Sequence, residues 1–303
     1  MHTMDREPNW EWYRTFLSVI DTGSLSAAGR ALGLTQPTVG RHIDSLESAL
    51  ALKLFVRSFD GFAPTEAAHE LRPYAAGVAA TAAALRRVAS SIGDGVRGTV
   101  RISASDVIGV EVLPPILAGL RAAHPELVVE LVLSNALDDL LRREADIAVR
   151  MVRPTQEALV ARAIGAIDIG MFAHTRYLEA NGTPASLDAL AGHALIGYDH
   201  EPAALRAWIE HFPAFARAKL ALRCDSDLAQ LGAIRAGVGI GWCQAGLAAR
   251  DPQLVRLLPA DCALALPTWI AMHEDLRASP RCAVTFAALV AGLSAYVDAH
   301  PAP

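Results

Sequence analysis

Lysine is almost missing from this chain. Lys53 and Lys219 are the only two, so nearly all of the 27 basic residues are arginine, and 32 acidic residues leave a formal charge of −5. That balance excludes a polybasic protein but not a local nucleic-acid-binding surface. Scarce lysine beside abundant alanine reads as genome composition bias rather than mechanism. Cysteine is sparse too: Cys224, Cys243, Cys262 and Cys282 lie 19, 19 and 20 residues apart in the last third, with no CxxC pair or Cys/His metal spacing. They read as small buried hydrophobes in a reducing cytosol, with a redox-responsive pairing in space as the alternative. No metal and no cofactor is expected. No uncharged apolar run of about 18 residues occurs, so no membrane-spanning helix is expected. The polar stretch from Met1 to Pro8 lacks the apolar core of a signal peptide. These absences predict a soluble cytoplasmic protein. Also missing are the GxSxG elbow, the phosphate-binding GxxxxGK loop, HExxH and the dinucleotide fingerprint, so no enzyme is expected. An enzyme or a ligand-binding transport protein remains the minor alternative.

What is present is ample apolar material. The 303 residues are 52% hydrophobic and 19% charged, with mean hydropathy +0.28. That suits about two domains with ordinary cores and excludes global disorder. Residues 1–91 hold 9 basic and 9 acidic residues, whereas 92–303 hold 18 and 23, so all excess acid lies in the second part.

Residues 9–50 read as three helices. Asn9 can cap the first, which carries Trp10, Tyr13, Phe16, Leu17 and Ile20 at helical spacing. Asp21-Thr22-Gly23 ends it, and Ser24 can cap a second helix from Leu25 to Leu32. After the Gly33-Leu34 turn, Thr35 starts a third, with Pro37 in its first turn. Its apolar face is Val39, Ile43, Leu46 and Leu50, and its other face shows Gln36, Thr38, Gly40 and Arg41. Leu54-Phe55-Val56, Asp60-Gly61 and Phe62-Ala63 read as a strand–turn–strand wing. A long Ala-rich helix then runs from Thr65-Glu66 to about Ser91, where Pro73 predicts a kink.

After the Ile92–Gly95 linker, strands alternate with helices. Strands are predicted at Val100–Ser103, Leu127–Leu133, Ile147–Val149, Ile167–Ala173, Leu195–Tyr198, Leu220–Cys224 and Val238–Trp242. Helices are predicted at Val110–Ala123 and around 137–143. The alternation implies parallel sheets covered on both faces, in two units joined near 160 and 270.

Helix, glycine turn and second helix bearing Gln, Thr and Arg is the pattern for reading a DNA major groove. Gln and Arg offer bidentate contacts to purine edges, and Thr offers a hydroxyl to base or phosphate. Arg30, Lys53 and Arg57 surround the motif as phosphate contacts, and residues 30–57 carry four cations against Asp44 and Glu47. A solvated face on a non-binding bundle is the plain alternative.

The stretch Gly23-Ser24-Leu25-Ser26-Ala27-Ala28, Leu32, Thr35-Gln36-Pro37-Thr38-Val39, Arg41, Ile43, Leu46-Glu47 and Leu54-Phe55-Val56-Arg57 closely resembles the LysR-type transcriptional regulators. Pro64-Thr65-Glu66-Ala67, Gly98–Ile102, Leu113-Pro114, His124-Pro125, Ala145–Arg150 and Ala236–Ile240 continue the resemblance along essentially the whole chain. Gly40 stands where the family usually has a DNA-facing Ser, Ala51 and Ala68 replace family glycines, and Gly29 follows the Ala pair.

The resemblance implies an α/β fold with an N-terminal winged helix-turn-helix (9–66), a linker helix and hinge (67–97), and a two-lobed periplasmic-binding-like effector domain (98–303). Lobe I covers about 98–165 and 270–303, and lobe II about 166–269. It implies DNA contacts at Ser24, Thr35, Gln36, Pro37, Thr38, Arg41, Lys53 and Arg57, although helix capping alone explains Ser24. The implied partners are an inverted-repeat double-stranded operator, a small-molecule effector, further copies in a dimer or tetramer, and RNA polymerase, with no membrane. Peroxide-sensing relatives use a nearby cysteine pair in the sensor region, and no close pair exists here.

Ligands of open α/β sheets bind at the C-terminal ends of strands. Those ends offer Ser103, Ser105, Ser134, Asn135, Arg150, Asp199, Ser226 and Trp242 as effector contacts. Ser105 and Ser226 could present helix N–H groups to a carboxylate or simply cap helices. Arg150 suits a carboxylate as a bidentate donor, or pairs with Glu144 or Asp146. Trp242 could stack an aromatic ring or belong to the core. A carboxylate or aromatic effector is therefore expected.

Overall fold

The computed structural model describes residues 7–58, 61–92, 95–134, 143–156, 158–200 and 212–302. The chain divides into two compact units. One holds residues up to Arg86 together with 142–144, and the other holds 87–141 and 145–303. The division falls inside the long helix rather than at its end.

The first unit begins with α1 (Trp10–Thr22), α2 (Leu25–Leu32) and α3 (Gln36–Leu50). Each starts at an oxygen cap, with Asn9, Ser24 and Thr35 accepting from the N–H of Glu11, Ala27 and Thr38. Gly23 and Gly33 close α1 and α2 with φ of 69° and 68°. Ala51 closes α3 at φ 54°, a conformation costing a non-glycine residue roughly 1 kcal/mol. A Cβ on Gly29 would sit 2.8 Å from the Leu34 carbonyl oxygen, so the α2–α3 turn closes only over a glycine. The wing is the antiparallel pair β1 (Phe55–Ser58) and β2 (Gly61–Pro64). Phe16, Val19, Ala28, Val39, Ile43, Leu46, Leu54 and Phe55 form the buried core. Phe55 joins wing to bundle, edge-on to Phe16 at 5.9 Å between ring centres. α4 (Glu66–Ser90) runs through Pro73 as one continuous helix.

The second unit is built on seven strands among the described residues, in the order β10-β6-β11-β5-β3-β4 with β9 also on β6. They are β3 (Gly98–Ala104), β4 (Leu127–Leu133), β5 (Ile147–Arg150), β6 (Leu159–His174), β9 (Gly241–Gln244), β10 (Leu254–Leu257) and β11 (Ala263–His273). Among the described strands of this sheet, only β3–β4 and β3–β5 pair in parallel. β6 pairs antiparallel with β9, β10 and β11, and β11 with β5. The expectation of purely parallel sheets is corrected accordingly. The long β6 and β11 pair along their length, the Leu159 end beside β5 and the His174 end beside β9 and β10.

β10 and β11 lie where no strand is expected from the sequence. Pro267 in mid-strand argues against a ladder position, yet the register shifts at Thr268/Trp269, opposite Gly165 with φ 138°, and the strand continues. A parallel pair, β7 (Ile196–Gly197) and β8 (Leu222–Arg223), forms a second sheet.

The helix expected from Val110 begins instead as a π-turn, Ile108–Val112. It becomes α5 (Leu113–Ala123) where prolines enter the first turn. The helix expected around 137–143 falls, up to 142, outside the described residues. The other α-helices among the described residues of the unit are α6 (Thr175–Asn181), α7 (Asp227–Arg235), α8 (Ala245–Ala248) and α9 (Pro280–Asp298). By length and composition α9 is apolar enough to cross a membrane. Here Cys282, Leu289, Val290, Leu293 and Val297 on it are buried in the core with Val100, Ile102 and Ile147.

Candidate nucleic-acid interface and effector cavity

α3 has two chemically distinct faces. Val39, Ile43 and Leu46 are sealed in the core, whereas Gln36, Pro37 and Arg41 are exposed. The exposed polar groups are held by short links: Ser26 Oγ donates to Gln36 Oε1 at 3.1 Å, and an Arg41 guanidinium N–H donates to Thr38 Oγ1 at 3.4 Å. Thr35 and Thr38 hydroxyls pair at 2.9 Å. Thr35 and Ser24 both serve as helix caps. Gly40 faces open space, a Cβ there meeting only Leu25 at 4.0 Å. The face therefore offers an amide, a guanidinium and a hydroxyl at the start of one helix, the geometry for reading base edges.

Glu47 has a structural role that its place in the sequence does not signal. Its side chain, 6% exposed, accepts from the N–H of Leu54 at 2.8 Å and of Phe55 at 3.2 Å, and from the Lys53 ammonium. Lys53, expected at a phosphate, is thus engaged with α3, although it remains exposed. Burial alone would push the Glu47 carboxyl up, but the Lys53 ammonium and the two N–H donors outweigh it and hold it below its ordinary value. Arg57 lies in β1 opposite Phe62, and its side chain is outside the described residues. Thr15, fully buried on α1, bonds His42 Nδ1 on α3 at 2.9 Å.

The second unit holds a cavity of about 420 Å³, within the roughly 300–1,000 Å³ of small-molecule sites. Ser105 lines one side, with Trp242, Tyr198, Asp227, Gln230 and Gln244 around it and the rest chiefly aliphatic. Trp242 stands edge-on to Phe212 at 5.1 Å and tilted to Phe215 at 5.8 Å.

Of the residues expected to meet an effector, Ser105 and Trp242 line the cavity. The lining does not include Ser103, Ser134, Arg150, Asp199 or Ser226, and Asn135 lies outside the described residues. Buried Arg150 donates to Ser103 Oγ at 2.8 Å and to the Val149 carbonyl at 3.0 Å. Ser134 donates its N–H to the Ala104 carbonyl. Asp199 pairs with Arg217, and Ser226 caps α7.

Tyr198, Asp227, Gln230 and Gln244 were not singled out. Asp227 and Gln230, three apart after a capping Ser, share one helix face, and that spacing was the available signal. The Tyr198 hydroxyl donates to Asp227 Oδ1. Burial and the nearby Asp106 charge push the Asp227 carboxyl up against that hydrogen bond, and Tyr198 is raised chiefly by burial.

All four cysteines are free. Burial pushes the Cys243 thiol up to about 12 and Cys262 to about 11, and raises Cys282, which disfavours the reactive thiolate in each.

A family model described as the LysR substrate binding domain matches residues 93–294, and one described as the bacterial regulatory helix-turn-helix protein, lysR family, matches 10–69. The chain belongs to the LysR family.

Within the LysR family it is similar to an HTH-type transcriptional regulator of Xanthomonas campestris, 30% identical over 178 residues. That match takes in 59% of this chain and 52% of the relative, so the chain spans about half of that protein's length. It is also similar to CrgA of Neisseria meningitidis serogroup C, 27% identical over 200 residues covering 66% of this chain and 67% of the relative. The solved structure of CrgA shares the fold at TM-score 0.59 and 24% identity, over 95% of this chain and 99% of that one. Full-length CbnR complexed with its target DNA shares it at TM-score 0.66 and 18% identity, over 94% and 99%.

Proposed function

We propose that this LysR-family chain binds an inverted-repeat operator with paired winged helix-turn-helix domains, and that a small molecule in the 420 Å³ cavity controls transcription through that binding. The domains are those read from the sequence: 9–66 for DNA, 67–97 as linker, and 98–303 for the effector, with its lobes meeting along β6 and β11. The exposed Gln36–Thr38–Arg41 face on a rigidly capped α3 carries the DNA reading. The effector must bind the active and inactive states with different affinity, or it could shift nothing. Relatives that are bacterial DNA-binding regulators support a cytoplasmic location.

Footprinting tests the DNA reading. Arg41→Ala and Gln36→Ala are each expected to weaken operator binding by about 1–3 kcal/mol while leaving the fold intact. Unchanged footprints in both variants overturn it.

Self-association is supported by α4. Tyr74, Val78, Leu85 and Val88 are exposed at 75%, 49%, 69% and 47%. With Thr81 between them their spacing is 4, 3, 4, 3, the seam of two paired helices. Leu85→Asp is expected to yield monomers in sedimentation and to weaken operator binding by roughly 100-fold or more, as two half-sites lose simultaneous engagement. A dimer of unchanged stability overturns that pairing.

A further inference from the structure

We propose that the cavity selects a compact, largely apolar molecule carrying a basic amine, whose ammonium group is held by Asp227 and Gln230 and whose hydrocarbon body lies against Trp242. This rests on reading the cavity as the effector site.

The polar inventory of the cavity is lopsided. No lysine, arginine or histidine is among its described lining residues. Asp227 accepts from the Tyr198 hydroxyl, a neutral donor, and no cation pairs with it among the described residues. Gln230 is 7% exposed, and its Nε2 donates to the Cys224 carbonyl at 2.7 Å. That bond takes one of the two Nε2 hydrogens, fixes the amide orientation and leaves Oε1 as an acceptor.

Asp227 and Gln230 thus present two acceptors from one face of α7. A ligand carboxylate would add a third negative charge to those of Asp227 and Asp106, with no cation on the described lining to offset it. An ammonium group supplies the missing counter-charge and three N–H donors for the two acceptors. Trp242, braced by Phe212 and Phe215, puts on the lining an indole, a ring that attracts both hydrocarbon and cation. The expected carboxylate class rested on Arg150 and on helix N–H groups beside Ser105 and Ser226; Arg150 bonds Ser103 outside the lining and Ser226 caps α7, so Ser105 alone of the three lines the cavity.

Titration calorimetry on the full chain with 2-phenylethylamine, phenylacetate and 2-phenylethanol tests this. The amine is expected to saturate and to bind about tenfold or more tighter than phenylacetate. Asp227→Asn is expected to lower amine affinity about 10- to 100-fold and to leave the alcohol within about twofold, which also reports a folded cavity. Gln230→Leu supplies a second variant with the same direction of change.

Tighter binding of phenylacetate, an unchanged amine affinity in both variants, or no binding by any of the three overturns the proposal. Operator footprints run with each ligand separate the two readings. Selective amine binding that leaves the footprint unchanged keeps the ligand class and overturns the regulatory role. A footprint altered by phenylacetate, bound tighter than the amine, does the reverse.

Discussion

Asp146→Ala is expected to destabilise the effector-binding unit by about 3–5 kcal/mol, the range for removing one partner of a buried ion pair. For a unit of about 200 residues that corresponds to a fall of roughly 6–20 °C in melting temperature. Asp146 is 2% exposed and Arg87 5%. The Arg87 guanidinium donates to both carboxylate oxygens at 3.1–3.3 Å, and the Arg101 N–H donates to Oδ2 at 2.9 Å. Truncation leaves a buried guanidinium and a backbone N–H without the carboxylate that received them, which is the costly case. The carboxylate also ties the last turn of α4 to the start of β5.

Differential scanning calorimetry measures the loss, and a double variant separates its origins. Arg87→Met with Asp146→Asn removes both charges at similar volume and keeps an acceptor for the Arg101 N–H, and neutral replacement of a buried pair is often tolerated or stabilising. The double variant is expected to recover most of the lost melting temperature. A single Asp146→Ala variant that melts with the parent protein defeats the account.

Glu47→Ala is expected to cost about 2–4 kcal/mol and to abolish operator binding, because two buried N–H groups at the root of the wing lose their acceptor. Those groups belong to Leu54 and Phe55, and Phe55 is the ring that fastens β1 to Phe16. Glu47→Gln retains an acceptor oxygen and is expected to lose less than half as much. Urea unfolding followed by tryptophan fluorescence, with operator titration alongside, reads both effects. A folded Glu47→Ala protein with normal operator affinity contradicts the clamp.

The same carboxylate sets a pH dependence. Its folded value lies below the unfolded one, so its contribution is fully present above the ordinary carboxylate range. It is lost as pH falls through the folded value. The parent protein is expected to lose this stability on acidification below that range, and Glu47→Gln to lack that component.

The DNA-binding half was legible because its signals are local. Asn9, Ser24 and Thr35 stand immediately before apolar periodicity, and each caps the helix it was expected to cap. A helix start is decided within four residues, so sequence suffices there. Glu47 was harder to read, since its acceptor role spans seven and eight residues to a different element. β11 was missed because Pro267 contradicts a strand locally, and only pairing with β6 across a register shift makes room for it. Arg150 looked like an anion receptor from its place at a strand end, yet burial turned it towards Ser103 and Val149.

Sequence alone therefore determined the helix caps, the apolar faces, the exposed Gln36–Arg41 surface and the family resemblance, all properties set by near neighbours along the chain. Tertiary structure alone decided which strand ends converge on the cavity, that its described lining has no cation, and that Asp227 and Gln230 meet there. Those facts depend on β6 and β11 bringing residues about 100 apart side by side, and no local propensity encodes a pairing over that separation.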